Sequence, residues 1–320
     1  MKVLYVAPGL GICGGIRVIW QHCLELSKRG HQAVLAVPNA QGGWLPGRVE
    51  VKVYEECLDE DWDVVVATGW QTWDASGQFK AISRWGFVQM AEALFYRDLE
   101  TQGLAHRALA SRGFRVFTIS KWLKWYLEDW CGQEGVEIVP NGVDTSIFYP
   151  DPVRGMKADR PVALVVGHEL NPCKNVSDAA RAIRMAGDFE LWHVYAFDPG
   201  VSIGADREWE APPQDMLRMI YSTADVLVMS SRVEGRSCLP VEAMACQCPV
   251  VLMNHRGLDD VCGGRALIAD PRDVGHLTKI IQFCMDDRRE TASRVDASYN
   301  YVLGNLRWSD IGKRLEGLYA

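Results

Sequence analysis

Glu234-Gly235-Arg236-Ser237-Cys238-Leu239-Pro240-Val241-Glu242-Ala243-Met244-Ala245 follows the apolar run Val226–Ser230 and leads into Pro249-Val250-Val251. The expected order is strand, loop, helix (Pro240–Cys246), strand. Strands that are apolar throughout fit a parallel sheet covered on both faces. Glu234 stands at the loop entrance and Glu242 in the first turns of the helix. Two carboxylates therefore bracket a loop and a helix N-terminus, where backbone N–H groups and the helix dipole favour an anion. The pair suits hydroxyl groups on either side of a diphosphate. The plainer alternative is a helix-start acid beside an unrelated surface acid.

Outward from this stretch the same alternation runs through the chain. Strands are expected at Lys2–Ala7, Ala33–Val37, Val49–Tyr54, Asp63–Thr68, Phe87–Met90 and Val116–Ser120, with a helix over Ile16–Arg29 that Gly30 ends. Turn residues then cluster from Pro140-Asn141-Gly142-Val143-Asp144 to Gly155, a linker or hinge near residues 140–155. Alternation restarts with strands at Val162–Val166, Glu190–Phe197, Val226–Ser230 and Val250–Met253. Helices are expected at Val176–Met185, Val274–Met285, Arg288–Leu303 and Ser309–Leu318. This is α/β architecture: two doubly wound, Rossmann-like domains, with ligands expected at the carboxyl ends of the strands and a substrate cleft where the domains face each other.

With 320 residues, 48% of them hydrophobic, the chain can build more than one core. Its net charge of -7 is spread over both halves without a basic stripe, so a nucleic-acid partner is not expected. The ten cysteines form no C-x-x-C and no Cys/His spacing typical of zinc, which points to reduced thiols in a cytoplasmic protein. The N-terminal apolar run is too short for a signal peptide and reads as a strand. No stretch reaches the ~20 apolar residues of a spanning helix. Lys121–Trp130, rich in Trp and Lys, has two readings: a core-facing helix with a solvated rim, which is favoured, or a peripheral contact with the inner face of a membrane.

The first βα turn, Gly9-Leu10-Gly11-Ile12-Cys13-Gly14-Gly15, contains G-x-G-x-x-G. The second strand ends Val37-Pro38-Asn39 and lacks the acid that would hold a dinucleotide ribose, which weakens an NAD reading. Gly14 and Gly15 can still present N–H groups to a phosphate or a sugar hydroxyl, or serve only as a tight turn.

Taken together, Glu234, Glu242, Ala243-Met244-Ala245 and Pro249-Val250-Val251 resemble the retaining glycosyltransferases of family 4, which have the GT-B fold and an E-x7-E motif. Further landmarks of that family match in order: Gly14-Gly15, Lys28-Arg29-Gly30-His31, Pro140-Asn141-Gly142-Val143-Asp144, and Tyr221 before Ala224-Asp225-Val226. The resemblance implies a first, acceptor-side domain of residues 1–143 with a tail helix, 305–320, crossing back to it, and a nucleotide-sugar-binding domain of residues 144–304. It implies that Glu242 binds the donor ribose, that Glu234 binds donor-sugar hydroxyls, and that Arg236, Ser237, Cys238 and Leu239 turn backbone N–H groups toward the diphosphate. Lys174 matches the family's diphosphate lysine. His168 stands where members carry an Arg, and a neutral His is a weaker phosphate ligand; Arg236 is placed to compensate. Where many members have a His after the fourth strand, this chain reads Ala67-Thr68-Gly69-Trp70. The stretch Phe87–Tyr96 resembles one in rhamnosyltransferase-like members, which would turn Glu92 toward the cleft; the plainer alternative is a solvated acid where a strand meets a loop.

The implied reaction moves a hexose or deoxyhexose from a nucleotide-diphosphate sugar to a hydroxyl acceptor: a glycan, a small molecule or a membrane-linked lipid. Neither a cofactor nor a metal is expected. A GT-B-fold epimerase or phosphorylase, a non-catalytic nucleotide-sugar-binding protein and an NAD oxidoreductase remain as alternatives.

Overall fold

The computed structural model describes residues 1–40, 45–96, 98–153, 156, 159–197, 200–258 and 262–320. Residues 154–155, at the end of the expected linker, lie outside that set. The chain divides into two compact units, Met1–Gly142 with Trp308–Ala320, and Val143–Arg307. Val143 goes with the second unit because its N–H donates to Leu306 O at 2.7 Å and it bridges Arg307.

The first unit holds a fully parallel sheet of seven strands: β1 (Lys2–Val6), β2 (Gln32–Val37), β3 (Glu50–Val53), β4 (Asp61–Ala67), β5 (Lys80–Val88), β6 (Arg115–Thr118) and β7 (Glu137–Ile138). Their spatial order is β3-β2-β1-β4-β5-β6-β7. β1 and β4 pair at the centre, and Val3, Leu4, Tyr5 and Val64–Ala67 are buried on both faces, as their unbroken apolar sequence requires. The helix Gly14–Lys28 turns Ile16, Ile19, Cys23 and Leu26 inward.

The tail helix Trp308–Tyr319 belongs to this unit. Tyr319 Oη lies 2.7 Å from Tyr5 Oη, and its ring meets those of Trp85 and Phe117 edge-on. His22 is buried in the same cluster, between Phe87 and Trp308, and burial lowers its pKa to about 3.

The second unit repeats the design with β8 (Val162–Val166), β9 (Glu190–Tyr195), β10 (Arg207–Glu210), β11 (Val226–Met229), β12 (Val250–Met253) and β13 (Leu267–Ala269), all parallel, in the order β10-β9-β8-β11-β12-β13. In each sheet the strand order reverses once, between β1 and β4 and between β8 and β11. Loops leaving the carboxyl ends of those strand pairs diverge to opposite faces, and the crevice between them is where open α/β sheets take ligands. Lys121–Trp130 is α-helical only to Trp125; Tyr126–Trp130 forms one π-helical turn, closed by Cys131 N–H donating to Tyr126 O. Leu123, Tyr126 and Leu127 are buried, as the core-facing reading expects, while Trp125 and Trp130 stay exposed with their rings 6.1 Å apart.

Candidate active site

At the switch point of the second unit, the loop after β8 is fastened to the loop after β11. Gly167 leaves β8 at φ +151, and a Cβ there would come within 2.9 Å of Val176 and 3.3 Å of Lys174, so only glycine fits. Its carbonyl accepts from His193 Nε2 at 2.8 Å; burial lowers the His193 pKa, which keeps that ring a neutral donor. Asn175 opens the helix Val176–Ala186 in a left-handed conformation, φ 51, that Asn tolerates better than most residues. Its side chain donates to Ser230 O and to Asp178, while its carbonyl accepts from Ser230 Oγ at 2.6 Å. Arg232 completes the seam: its N–H donates to Cys173 O and its guanidinium to Asn175 Oδ1.

The seam brings Lys174 to Glu234. Lys174 Nζ donates to Glu234 Oε1 at 2.6 Å, and Ser231 Oγ donates to the same oxygen at 3.0 Å. Glu234 is only 5% exposed, so its charge rests on these two partners and other local contacts. From below, Gly257 presses on this loop. A Cβ at Gly257 would overlap the Glu234 carbonyl oxygen and reach 3.0 Å from Gly235 O. Arg236 and Ser237 are buried beside it, Cys238 and Leu239 half-buried. Glu242 lies in the helix Leu239–Ala245, 2% exposed, its N–H donating to Cys238 O.

His168 also borders this crevice. Its Nδ1 accepts from Leu170 N–H at 3.2 Å, which places the ring proton on Nε2. Nε2 is buried and has no hydrogen-bond partner among the described residues. An unsatisfied buried donor costs on the order of 1–3 kcal/mol, a cost that a ligand oxygen would remove. Thus Lys174, Glu234, His168 and the Arg236–Glu242 segment meet in one unit. Asn175, Ser231, Arg232 and Gly257 were not singled out by sequence; a Ser-Ser-Arg after a strand and a lone loop glycine carry no signal of their own.

Gly14 and Gly15 lie in the first unit, at the carboxyl end of β1. Gly15 O accepts from Gln89 Nε2 at 3.2 Å, and no room remains there for a side chain without moving Gln89. Beside them, Trp70 N–H donates to Glu92 Oε2 at 2.9 Å, and burial raises the Glu92 pKa to about 7 against the pull of that bond. Asp-x-Asp, a metal-binding pattern of other transferases, occurs as Asp59-Glu60-Asp61 and Asp61-Trp62-Asp63. These residues sit at the opposite, amino end of β4. Asp63 accepts from Lys2 N–H there, and Glu60 pairs with Lys2 and Lys52. Among the described residues no helix is long and apolar enough to cross a membrane.

Comparison with known proteins adds a family to this geometry. Residues 210–300, which contain the E-x7-E stretch, match the family model of glycosyl transferases group 1. An MMP alpha-(1->4)-mannosyltransferase of Mycolicibacterium hassiacum is 25% identical over 82% of this chain and 62% of its own length. The match spans between 28% and 62% of the length of the curated relatives. Among solved structures, the sucrose-phosphate synthase of Thermosynechococcus elongatus superposes with a TM-score of 0.85 at 17% identity, over 99% of this chain and 98% of that one. Anabaena Alr3699/HepE in complex with UDP-glucose superposes at 0.80 and 12% identity, over 99% of both chains. Residues 210–300 thus carry the match to glycosyl transferases group 1, and the chain as a whole has the GT-B fold.

Proposed function

We propose that the chain is a retaining glycosyltransferase that moves a hexosyl or deoxyhexosyl group from a nucleotide-diphosphate sugar to a hydroxyl acceptor without a divalent metal. The observation that carries this reading is the convergence, at the switch point of the second unit, of a lysine, a buried carboxylate, an unsatisfied imidazole donor and the start of a helix bearing a second buried carboxylate.

Each group has a task in that reaction. Glu242 bonds the ribose and Glu234 the hydroxyls of the transferring sugar. Lys174, His168 Nε2–H, Arg236 and the backbone of Ser237, Cys238 and Leu239 hold the diphosphate. The bond from the anomeric carbon to the diphosphate breaks with its electron pair going to the phosphate oxygen. A new bond forms from the same face to the acceptor oxygen, whose proton goes to the leaving diphosphate. Positive charge and fixed N–H donors aimed at that oxygen stabilise the leaving group, which is why no metal is invoked. All ten cysteines are free thiols, most of them buried, which supports a reducing compartment.

The test is a thermal-shift panel of UDP, GDP, UDP-glucose and GDP-mannose. A true donor nucleotide raises the melting temperature by mass action. Proton NMR of the product formed from that donor then reports retention at the anomeric carbon, and EDTA leaves the rate unchanged. No stabilisation by any of the four, or transfer that stops with EDTA and returns with magnesium, counts against the proposal.

A further inference from the structure

The crevice of the first unit carries hydrogen-bonding capacity that its own fold does not use. Glu92 Oε2 is held by Trp70 N–H at 2.9 Å, whereas Oε1 has no partner among the described residues. Tyr96 Oη accepts from Trp70 Nε1 at 2.8 Å and from Gln71 Nε2 at 3.3 Å. A phenol oxygen that accepts twice keeps its own proton to donate. The Trp70 and Tyr96 rings meet edge-on at 6.1 Å, which fixes both side chains. A free carboxylate oxygen and a free hydroxyl proton thus stand on one short segment, at the carboxyl ends of β4 and β5, next to Gly15 and Gln89. Neither group is needed to hold the unit together, since each has its structural bonds elsewhere.

We infer that Glu92 and Tyr96 form a subsite for a saccharide hydroxyl in the first unit, Glu92 Oε1 accepting from the hydroxyl and Tyr96 Oη–H donating to its oxygen. The inference rests on the glycosyltransferase reading and names the acceptor class as a sugar or other polyol. Both side chains are held by Trp70, Glu92 through its backbone N–H and Tyr96 through its indole N–H, and an acceptor paired with a donor matches a hydroxyl, which offers both. The carboxylate form is the stronger acceptor, so affinity rises as the pH passes through about 7, where Glu92 ionises. Among the described residues, the phenol of Tyr126 interacts with Glu92; the Tyr126 pKa is pushed up, first by burial, with Glu92 adding to the shift, so it stays neutral over that range.

Saturation-transfer NMR of methyl α-D-mannopyranoside and methyl α-D-glucopyranoside on the full chain tests this, with UDP or GDP present. Wild type binds at least one glycoside, more tightly at pH 8 than at pH 6. Glu92→Gln binds at least about ten-fold more weakly and without pH dependence. Tyr96→Phe, which removes the donated proton and whose fold is checked by its melting temperature, is weakened as well. Unchanged glycoside affinity in either folded variant, or no glycoside binding by wild type, overturns the subsite. If neither UDP nor GDP stabilises the protein while the glycoside contrast persists, the subsite stands and the donor reading fails.

Discussion

Glu234 Oε1 takes hydrogen bonds from both Lys174 and Ser231, so removing that carboxylate releases a lysine as well as a sugar contact. Glu234→Ala should therefore leave nucleotide diphosphate affinity intact or up to roughly ten-fold tighter, while turnover collapses because the transferring sugar is no longer oriented. Glu242→Ala should weaken nucleotide diphosphate and intact donor alike, by about 1.5–3 kcal/mol for a lost bond to a charged group. Isothermal titration of the two variants beside a rate assay separates the roles; equal losses of nucleotide diphosphate in both would sink them. Gly257→Ala should cut activity through the Glu234 loop, since the new methyl overlaps a backbone carbonyl that cannot swing aside. A Gly257→Ala enzyme with normal kinetics would show that the loop has room to move. Glu92 supplies a pH signature. Its folded pKa is raised, so between about 4.5 and about 7 the folded state holds a proton that the unfolded state has lost, and stability falls as pH rises through that window. Glu92→Gln should flatten the fall, as urea unfolding at pH 4.5 and pH 8 would reveal.

The elements that sequence made legible are those whose burial is complete. β8 and β12 are apolar from end to end and β1 is apolar after Lys2, and each lies inside its sheet. β10, read as Arg207-Glu208-Trp209-Glu210, alternates because it is an edge strand, and β7 has only two residues; neither offers a run to detect. The helix Leu99–Leu109 buries only Ala105 and Leu109, so its periodicity is faint. At the site, the carboxylates and Lys174 were legible because chemistry dictates residue type. The seam of Asn175, Ser230 and Arg232 was not, because its bonds run largely through the backbone and join residues 55 or more positions apart. The tail helix gives a test at this scale. Trp308 is buried against His22, so Trp308→Ala should cost about 3–5 kcal/mol. A denaturant midpoint close to wild type would mean that the helix is not needed to complete the first unit.

Across the whole molecule, the first unit is built from two segments separated by the second. Its sheet is complete at Ile138, yet the helix that covers Tyr5, Trp85 and Phe117 begins at Trp308. During synthesis, the ribosome must make the entire intervening unit before that aromatic face can be covered. The second unit, a continuous stretch from Val143 to Arg307, has no such wait. A nascent chain stalled late in the second unit would present a finished sheet with an uncovered aromatic patch, the kind of surface that chaperones hold and that aggregates when they are absent.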